Sequence, residues 1–378
     1  VTATEAQRRR VNDLFAELCA IESPFGRERA CADRVAAELR GMGLEVEEDG
    51  AGPEAGSECG NLLARVPGST DVTVLLCAHL DTVVPQAPLD PVIEEGVWRN
   101  ANPGILGADN KAAVAVILEV ARHAVEHGTE VGLELLFTVC EENALRGAKA
   151  FDRSRLRARC GYVFDHASPI GEVVMASPSY FRLDADFHGA SAHAGIRPED
   201  GRSAIAAAAA AVAGMRIGRL DAETTTNVGR IEGGSGSLNV VPDRCRIEAE
   251  ARSLDEARVE TVVADMVDRV HDGANAHECD VDVSVQCLFR GYRERGSSPG
   301  VVAAEAALRD GGFEPRRIVT GGGSDANVFH AAGLPVVNLA NGTRANHQPD
   351  ESVAAAALED MLGVALRLPS AVREALAE

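Results

Sequence analysis

At 378 residues the chain is longer than one hydrophobic core usually supports, about 250 to 300 residues, so two or three domains are expected. A hydrophobic share of 46% and a charged share of 25% match an ordinary globular protein, and no apolar run reaches transmembrane length. The formal charge of −21 argues against nucleic acid and anionic membrane surfaces as partners. The nine cysteines (Cys19, Cys31, Cys59, Cys77, Cys140, Cys160, Cys245, Cys279, Cys287) are odd in number, never form C-x-x-C and mostly sit inside apolar runs. That is the usage of buried thiols in a reducing cytosol. Together with an opening (VTATEAQRRRVNDLF) too polar for a secretory signal, it predicts a cytoplasmic location.

Residues 5–21 and 27–39 carry apolar side chains at helical spacing, the second run stopped by Gly41 and Gly43. Residues 46–48 and 61–66 read as a strand pair around a Gly-rich loop. Residues 72–79 (VTVLLCAH) form an unbroken aliphatic run that stops at His79-Leu80-Asp81, the pattern of a buried parallel strand. A loop over 85–107 holds the only tryptophan, Trp98. Residues 111–128 read as a helix, 131–139 (VGLELLFTV) as a buried strand ending in Glu141-Glu142, and 162–164 as a short strand ending in Asp165. Strand, helix and strand in alternation predict parallel pairing with right-handed crossovers.

Near Ser177 the pattern changes. Residues 180–188 (YFRLDADFH), 224–231, 244–251 and 280–289 alternate apolar with polar, as strands with one wet face do. Helices are expected over 204–215 and 256–271, the alanine-rich run at 204–211 reading as a helix packed closely on its sheet. The order βαββαβ predicts a split-βαβ sandwich, a domain over 178–292 inserted into one built from 1–177 and 293–378. After Gly296 come a helix (301–309), the loop Gly321-Gly322-Gly323-Ser324-Asp325, a strand (336–339) and a closing helix (353–366).

Five polar stations stand at strand ends or in the loops after them: His79 with Asp81, Asp109, Glu141 with Glu142, Asp165, and His347. Functional groups of open α/β sheets collect at the carboxyl ends of strands. His79 and Asp81, two apart on an extended chain, point to the same side, and an acid behind an imidazole fixes its tautomer in metal sites. Each station also has a structural reading. His79 and Asp81 satisfy loop backbone, Asp109 is an N-cap, the glutamates start a helix, Asp165 is a turn residue and His347 a surface histidine. Those readings leave unexplained why acids recur at one structural station. Two histidines and four or five carboxylates, with no compensating Lys or Arg at those stations, repel one another unless cations lie among them. Two divalent ions are therefore expected, Zn²⁺ first because each would gain a nitrogen donor, with Mn²⁺ or Co²⁺ as alternatives.

CAHLDTVVP, GADNKAAVAV, TVCEENALRGAKAFD, VFDH, FHGASAHAG and NHQPDE, in that order, resemble the di-zinc aminoacylase, carboxypeptidase and peptidase T superfamily over almost the whole chain. GAKAFD, HAGIRPEDGRSAI and TTTNVGRIEGGSGSLNVVPD look most like its peptidase T-like branch, whose best-known member removes the first residue of tripeptides. The resemblance implies an α/β fold, a parallel-sheet zinc-hydrolase catalytic domain with an inserted α+β (βαββαβ) lid, and a homodimer formed through the lid. It gives one zinc to His79 and Asp165 and the other to Glu142 and His347, with Asp109 bridging both and Asp81 behind His79. Glu141 becomes the general base, and His193 (SAHAG) the residue that reaches the transition state, often across a dimer interface. Asn227, Arg252 and the GGGSD loop (Gly322, Ser324) become substrate contacts, and the Asp109–Asn110 bond is expected to be cis. For Arg252 the structural alternative is an ion pair with Glu250 or Asp255 on the lid surface.

Cys140 and His166 depart from the residues usual in the family, and His188 and His330 read as packing or surface histidines. The implied activity is metal-dependent hydrolysis of small peptides, as by a tripeptide aminopeptidase. An N-acyl amino acid deacylase, amidohydrolase or carboxypeptidase on the same scaffold is the alternative among hydrolases. A catalytically silent metal-binding scaffold is the alternative of another class, and Glu141 counts against it. P-loop, nucleophile-elbow and H-E-x-x-H motifs are absent from the sequence.

Overall fold

Unbroken aliphatic runs have no polar face to turn to water, so they belong in the middle of a sheet covered on both sides. In the computed structural model, which describes residues 2–234 and 236–377, that is where they lie. The chain forms two compact units. One runs from the N-terminal segment to Ala176 and resumes over Arg293–Thr320 and from Ser324 onward; the other comprises Ser177–Tyr292 with Gly321–Gly323.

The first unit is built on strands β1 (Val46–Glu48), β2 (Leu62–Val66), β3 (Thr73–His79), β4 (Gly132–Thr138), β5 (Cys160–His166), β6 (Glu172–Ser177) and β7 (Val336–Ala340). Across the sheet their order is β1-β2-β4-β3-β5-β7-β6. The central four, β4, β3, β5 and β7, are parallel, whereas β2 and β6 join them antiparallel, so the sheet is mixed rather than wholly parallel. The reason at β2 is connection length. Residues 67–72 can turn the chain round, but a parallel return needs a crossover of about a dozen residues or more. Helix α1 (Glu5–Cys19) and helix α2 (Ala108–His127) share the core beside this sheet. Every side chain of α2 from Ala112 to Ala121 is buried, including Glu119, which Arg10 of α1 meets at 2.5 Å.

The stretch expected as a loop over 85–107 holds a hairpin, Pro91–Glu94 with Val97–Asn100. Its turn is Glu95-Gly96, at φ 50° and 77°, the left-handed pair of a tight two-residue connection. Val97–Asn100 pairs with Ser352–Ala354, which pairs in turn with Thr343–Arg344. The loop that carries His347 is therefore bracketed by hydrogen-bonded strands. Trp98 anchors the arrangement to α1, donating to Asn12 Oδ1 at 2.8 Å and meeting the Phe15 ring edge-on.

In the second unit Thr224–Gly233, Arg244–Ser253, Ser179–His188 and Asp280–Phe289 lie in that order, all antiparallel. Alternate residues such as Leu183, Ala185, Phe187, Ile247 and Ala249 share one buried cluster with the helices Ala204–Gly214 and Glu256–Ala276. This is the βαββαβ sandwich read from the alternation. Alanine serves a contact between the two helices as well as one with the sheet: a Cβ at Gly273 would stand 2.6 Å from the Ala207 carbonyl oxygen and 2.8 Å from the Ala211 Cβ.

Gly273→Ala tests that contact. Alanine favours a helix by about 1 kcal/mol over glycine, whereas overpacking costs about 1 to 3 kcal/mol. We expect the contact to win and the urea midpoint of the full-length protein to fall.

Candidate metal centre

Strands β4, β3, β5 and β7 end at one edge of the sheet, and the acids and imidazoles meet there. His79 closes β3, Asp165 stands near the end of β5, and Glu141 and Glu142 follow β4. His347 comes from the bracketed loop after β7. Asp109 comes from the start of α2, where φ −84° and ψ 103° leave the helical region and the bond to Asn110 is cis. His79 Nε2 lies 3.3 Å from Asp109 Oδ1, 3.8 Å from Asp165 Oδ1 and 4.0 Å from Glu141 Oε2. His347 Nε2 lies 2.7 Å from Glu142 Oε1 and 3.3 Å from Asp109 Oδ2. Three triads have donor atoms all within 4.8 Å of one another: His79, Asp109 and Asp165; Asp109, Glu142 and His347; His79, Glu141 and Glu142. The first two share Asp109.

Buried acceptors hold the loops that present these groups. His79 Nδ1 donates to the Asp81 backbone carbonyl at 2.9 Å, which puts the proton on Nδ1 and leaves a lone pair on Nε2. The Asp81 carboxylate stands farther from the ring, at 3.5 Å, and accepts the Glu141 and Glu142 amides, each at 3.0 Å. Asp81 is thus behind His79 as expected, but its carbonyl rather than its acid makes the closer contact. Glu351 accepts the Leu106, Gly107 and Asp109 amides, each at 2.9 Å. Glu351, not Asp109, caps α2. Asn338 of β7 accepts the Asp165 amide at 3.0 Å and donates to the Asp165 carbonyl at 3.1 Å.

Two further acids were not singled out from sequence. Glu28 accepts the Cys140 amide at 3.1 Å and its thiol at 3.3 Å, which gives the unusual cysteine a partner. Asp325, 2% exposed, accepts from Thr138 Oγ1 at 2.5 Å. Glu351 closes the NHQPDE motif and Asp325 the GGGSD loop; Glu28 and Asn338 carried no local signal. Lys111, two positions beyond Asp109, is buried and donates to the Ile21 carbonyl.

Titration follows crowding. Burial raises Glu142 to about 7 and Asp165 to about 6, with the Asp109 charge adding to both. Glu141 is pushed well above the carboxylate range, first by burial; His79 works against the rise, while Asp165 and Glu142 add to it. His347 is raised to about 10 by its bonds to Asp109 and Glu142. Burial disfavours the His79 imidazolium, but Asp109, Asp165 and Asp81 outweigh it. Asp109 itself is lowered: burial opposes this, and His347 and His79 prevail. These groups compete for positive charge, whether as protons or as cations.

In the second unit His193 Nδ1 accepts the Gly195 amide at 3.2 Å, so Nε2 carries the hydrogen and can donate. Arg252 makes a two-pronged pair with Glu250 at 3.2 and 3.1 Å and lies over the Tyr180 ring at 4.0 Å. The lid-surface pairing weighed from sequence is the one present. Asn227 lies on the exposed face of the same sheet, lining a shallow depression with Arg182, Arg230 and Glu250. The Gly322 carbonyl accepts from Ser177 Oγ at 2.8 Å. Ser324, expected to touch substrate, is 1% exposed, and its hydroxyl caps the Asp325–Ala331 helix in a capping box with Asn327. His188 pairs with Asp282 and His330 with Glu294.

Asp81→Asn would set an NH₂ against one of the two loop amides, donor against donor. We expect the metal-free protein to lose about 1 to 3 kcal/mol, read by denaturant unfolding.

Residues 179–278 match the family model of a peptidase dimerisation domain, and residues 61–176 that of peptidase family M28. The chain is 34% identical over 372 residues to the uncharacterized protein YqjE of Bacillus subtilis (strain 168), covering 97% of this chain and 98% of that one. It is similar to the crystal structure of aminopeptidase PepT from Bacillus cereus ATCC 10987, at 36% identity and TM-score 0.86, covering 97% and 99% of the two chains. It is also similar to a tripeptidase from Staphylococcus aureus subsp. aureus Mu50, at 32% identity and TM-score 0.90 over the same shares. With relatives this similar along nearly its whole length, the chain belongs to the aminoacylase, carboxypeptidase and peptidase T superfamily of hydrolases, in its peptidase T-like branch.

Proposed function

We propose that this chain is a metallo-aminopeptidase that hydrolyses small peptides, removing the first residue of tripeptides. The observation that carries the reading is the pair of triads joined through Asp109. His79 and Asp165 would hold one divalent ion, Glu142 and His347 the other, with Asp109 between them. One imidazole on each side favours Zn²⁺, with Mn²⁺ or Co²⁺ compatible. The fit is supported by Asp109 Oδ1, which is buried without a hydrogen-bond partner and faces the lone pair of His79 Nε2 at 3.3 Å. Two acceptors so placed require a cation or a proton between them. Likeness to an aminopeptidase and a tripeptidase supports the choice of substrate.

Divalent ions in such a site supply Lewis acidity toward a carbonyl oxygen and a water of lowered pKa. The chain's own groups do the rest. Glu141, whose burial raises its proton affinity, takes a proton from the attacking water and returns it to the leaving amine nitrogen. His193 offers its Nε2 hydrogen to the developing oxyanion, a donor typically worth about 100- to 1000-fold in rate. Arg252 binds a substrate carboxylate by exchanging Glu250 for it, with the Asn227 amide alongside. The dimerisation-domain match supports pairing of two copies through the second unit. No helix among the described residues is long and apolar enough to cross a membrane, and no disulfide joins cysteines among them; the latter fits a reducing, cytoplasmic setting.

Glu141→Gln should retain its metal by elemental analysis while tripeptide hydrolysis falls about 100- to 10,000-fold; near-normal turnover would remove Glu141 from its role. Separately, a chelator should abolish hydrolysis and added Zn²⁺ should restore it, with tripeptides cleaved faster than dipeptides or N-acetyl amino acids. A preference for N-acetyl amino acids would instead make the chain a deacylase.

A further inference from the structure

We propose that Glu351 is the positioning residue of the bridging acid: without touching metal or substrate, it sets the main chain of Asp109 so that the two carboxylate oxygens face opposite imidazoles. The inference rests on the proposed metal role of Asp109. Glu351 is 2% exposed, and both of its oxygens are engaged. Oε2 takes the Leu106 and Gly107 amides and Oε1 takes the Asp109 amide, each at 2.9 Å. These amides belong to the approach and first turn of α2, where a helix leaves N–H groups without partners. The N-cap position is Gly107, which has no side chain to offer and sits at φ 77°. An acid from a distant loop takes over.

What this does for Asp109 follows from its other contacts. Its backbone N–H is fixed by Glu351, and its Oδ2 is fixed by Asn346 Nδ2 at 2.8 Å. With one point held on the main chain and one on the carboxylate, little freedom is left, and Oδ1 is turned to His79 Nε2. Glu351 is itself immobilised. Its amide donates to the Gln348 carbonyl at 3.0 Å, and the next residue enters the Ser352–Ala354 strand, which pairs with Val97–Asn100. The same loop carries His347. One segment of chain therefore presents a nitrogen donor and also fixes the acid that bridges to the other triad, so any shift of the loop displaces both.

A helix cap and a positioning residue predict different losses, and the metal-free chain separates them. Full-length wild type, Glu351→Gln and Glu351→Asp are stripped of metal, their thermal unfolding is recorded, and Co²⁺ is titrated in while its visible absorption is followed. Gln keeps one acceptor but sets an NH₂ against an amide; Asp keeps both oxygens on a shorter stem. We expect Glu351→Gln to bind Co²⁺ about 10- to 100-fold more weakly, with an altered spectrum, and Glu351→Asp to recover part of the affinity. Wild-type affinity and spectrum in Glu351→Gln, whatever its melting temperature, reduce Glu351 to a helix cap and overturn the proposal. Should Glu351→Gln not fold, the decision passes to Glu351→Asp, whose Co²⁺ spectrum is altered if the residue positions Asp109 and unchanged if it does not. Failure of the wild type itself to bind Co²⁺ removes the metal role of Asp109 and this inference with it, so the wild-type arm tells the two failures apart.

Discussion

Carboxylates gathered within a few ångströms push one another away, and a loop that carries one will shift unless something other than the carboxylate holds it. Two like charges 4 Å apart repel by about 4 kcal/mol at an effective dielectric of 20. The first unit meets that force through its main chain. Asp81 holds two amides of the Glu141-Glu142 loop, Glu351 holds three at the start of α2, Glu28 holds Cys140, and Asn338 holds both backbone groups of Asp165. A hydrogen bond to a charged acceptor contributes about 1.5 to 3 kcal/mol, so two on Asp81 match the repulsion in size. Apart from Asp109 Oδ2, which also accepts from Asn346, the acids that face the centre thus keep their oxygens for one another and for whatever positive charge they share. A second ring of acids and an amide does the holding.

The sheet explains why so few elements suffice. Its four central strands are parallel and adjacent, so their carboxyl ends lie along one edge, and residues from far apart in the chain arrive together. Two members are not set by the end of a central strand, Asp109 at the start of α2 and His347. At 49% side-chain exposure and φ 66° His347 is the least enclosed member. Its position depends on the small sheet that brackets its loop, and through Trp98 on the packing of that sheet against α1. A residue that looks peripheral, on a hairpin far in sequence from His347, is in this sense part of the support of the centre.

That dependence also marks the boundary of what the chain discloses when read alone. Aliphatic runs that end in His-Leu-Asp, Cys-Glu-Glu-Asn and Phe-Asp-His are legible because burial on both faces leaves no alternation and the polar stop stands out. The second unit is legible for the converse reason, its strict alternation. The holding acids are not. Glu28 and Asn338 act through hydrogen bonds to residues over a hundred positions away, which create neither period nor motif. The hairpin turn Glu95-Gly96 lacks the Asn or Asp that usually announces such a turn. Asp81 was read toward the ring because an acid near an imidazole is the familiar pairing; the structure sends its side chain to the next loop and lets the carbonyl meet the ring. The resemblance implies a substrate contact at Ser324, whereas the Asn three positions on makes it a helix cap.

The second unit shows the same economy of pre-engaged groups, with a different consequence. Arg252 already lies over the Tyr180 ring and forks onto Glu250, so its direction is set before any ligand comes. Were Glu250 deeply buried, exchanging it for another carboxylate would strand a charge and cost several kcal/mol. The two side chains are instead 26% and 29% exposed, and an ion pair of that kind is worth about 0 to 1 kcal/mol because water takes over each partner. Under the proposed function, Glu250 therefore orients the guanidinium without competing strongly for it, and a peptide carboxylate can replace it at little penalty. Lysine at this position would keep the charge but lose both the stacking and the two-pronged geometry, which is why the planar group rather than the charge is the feature that matters.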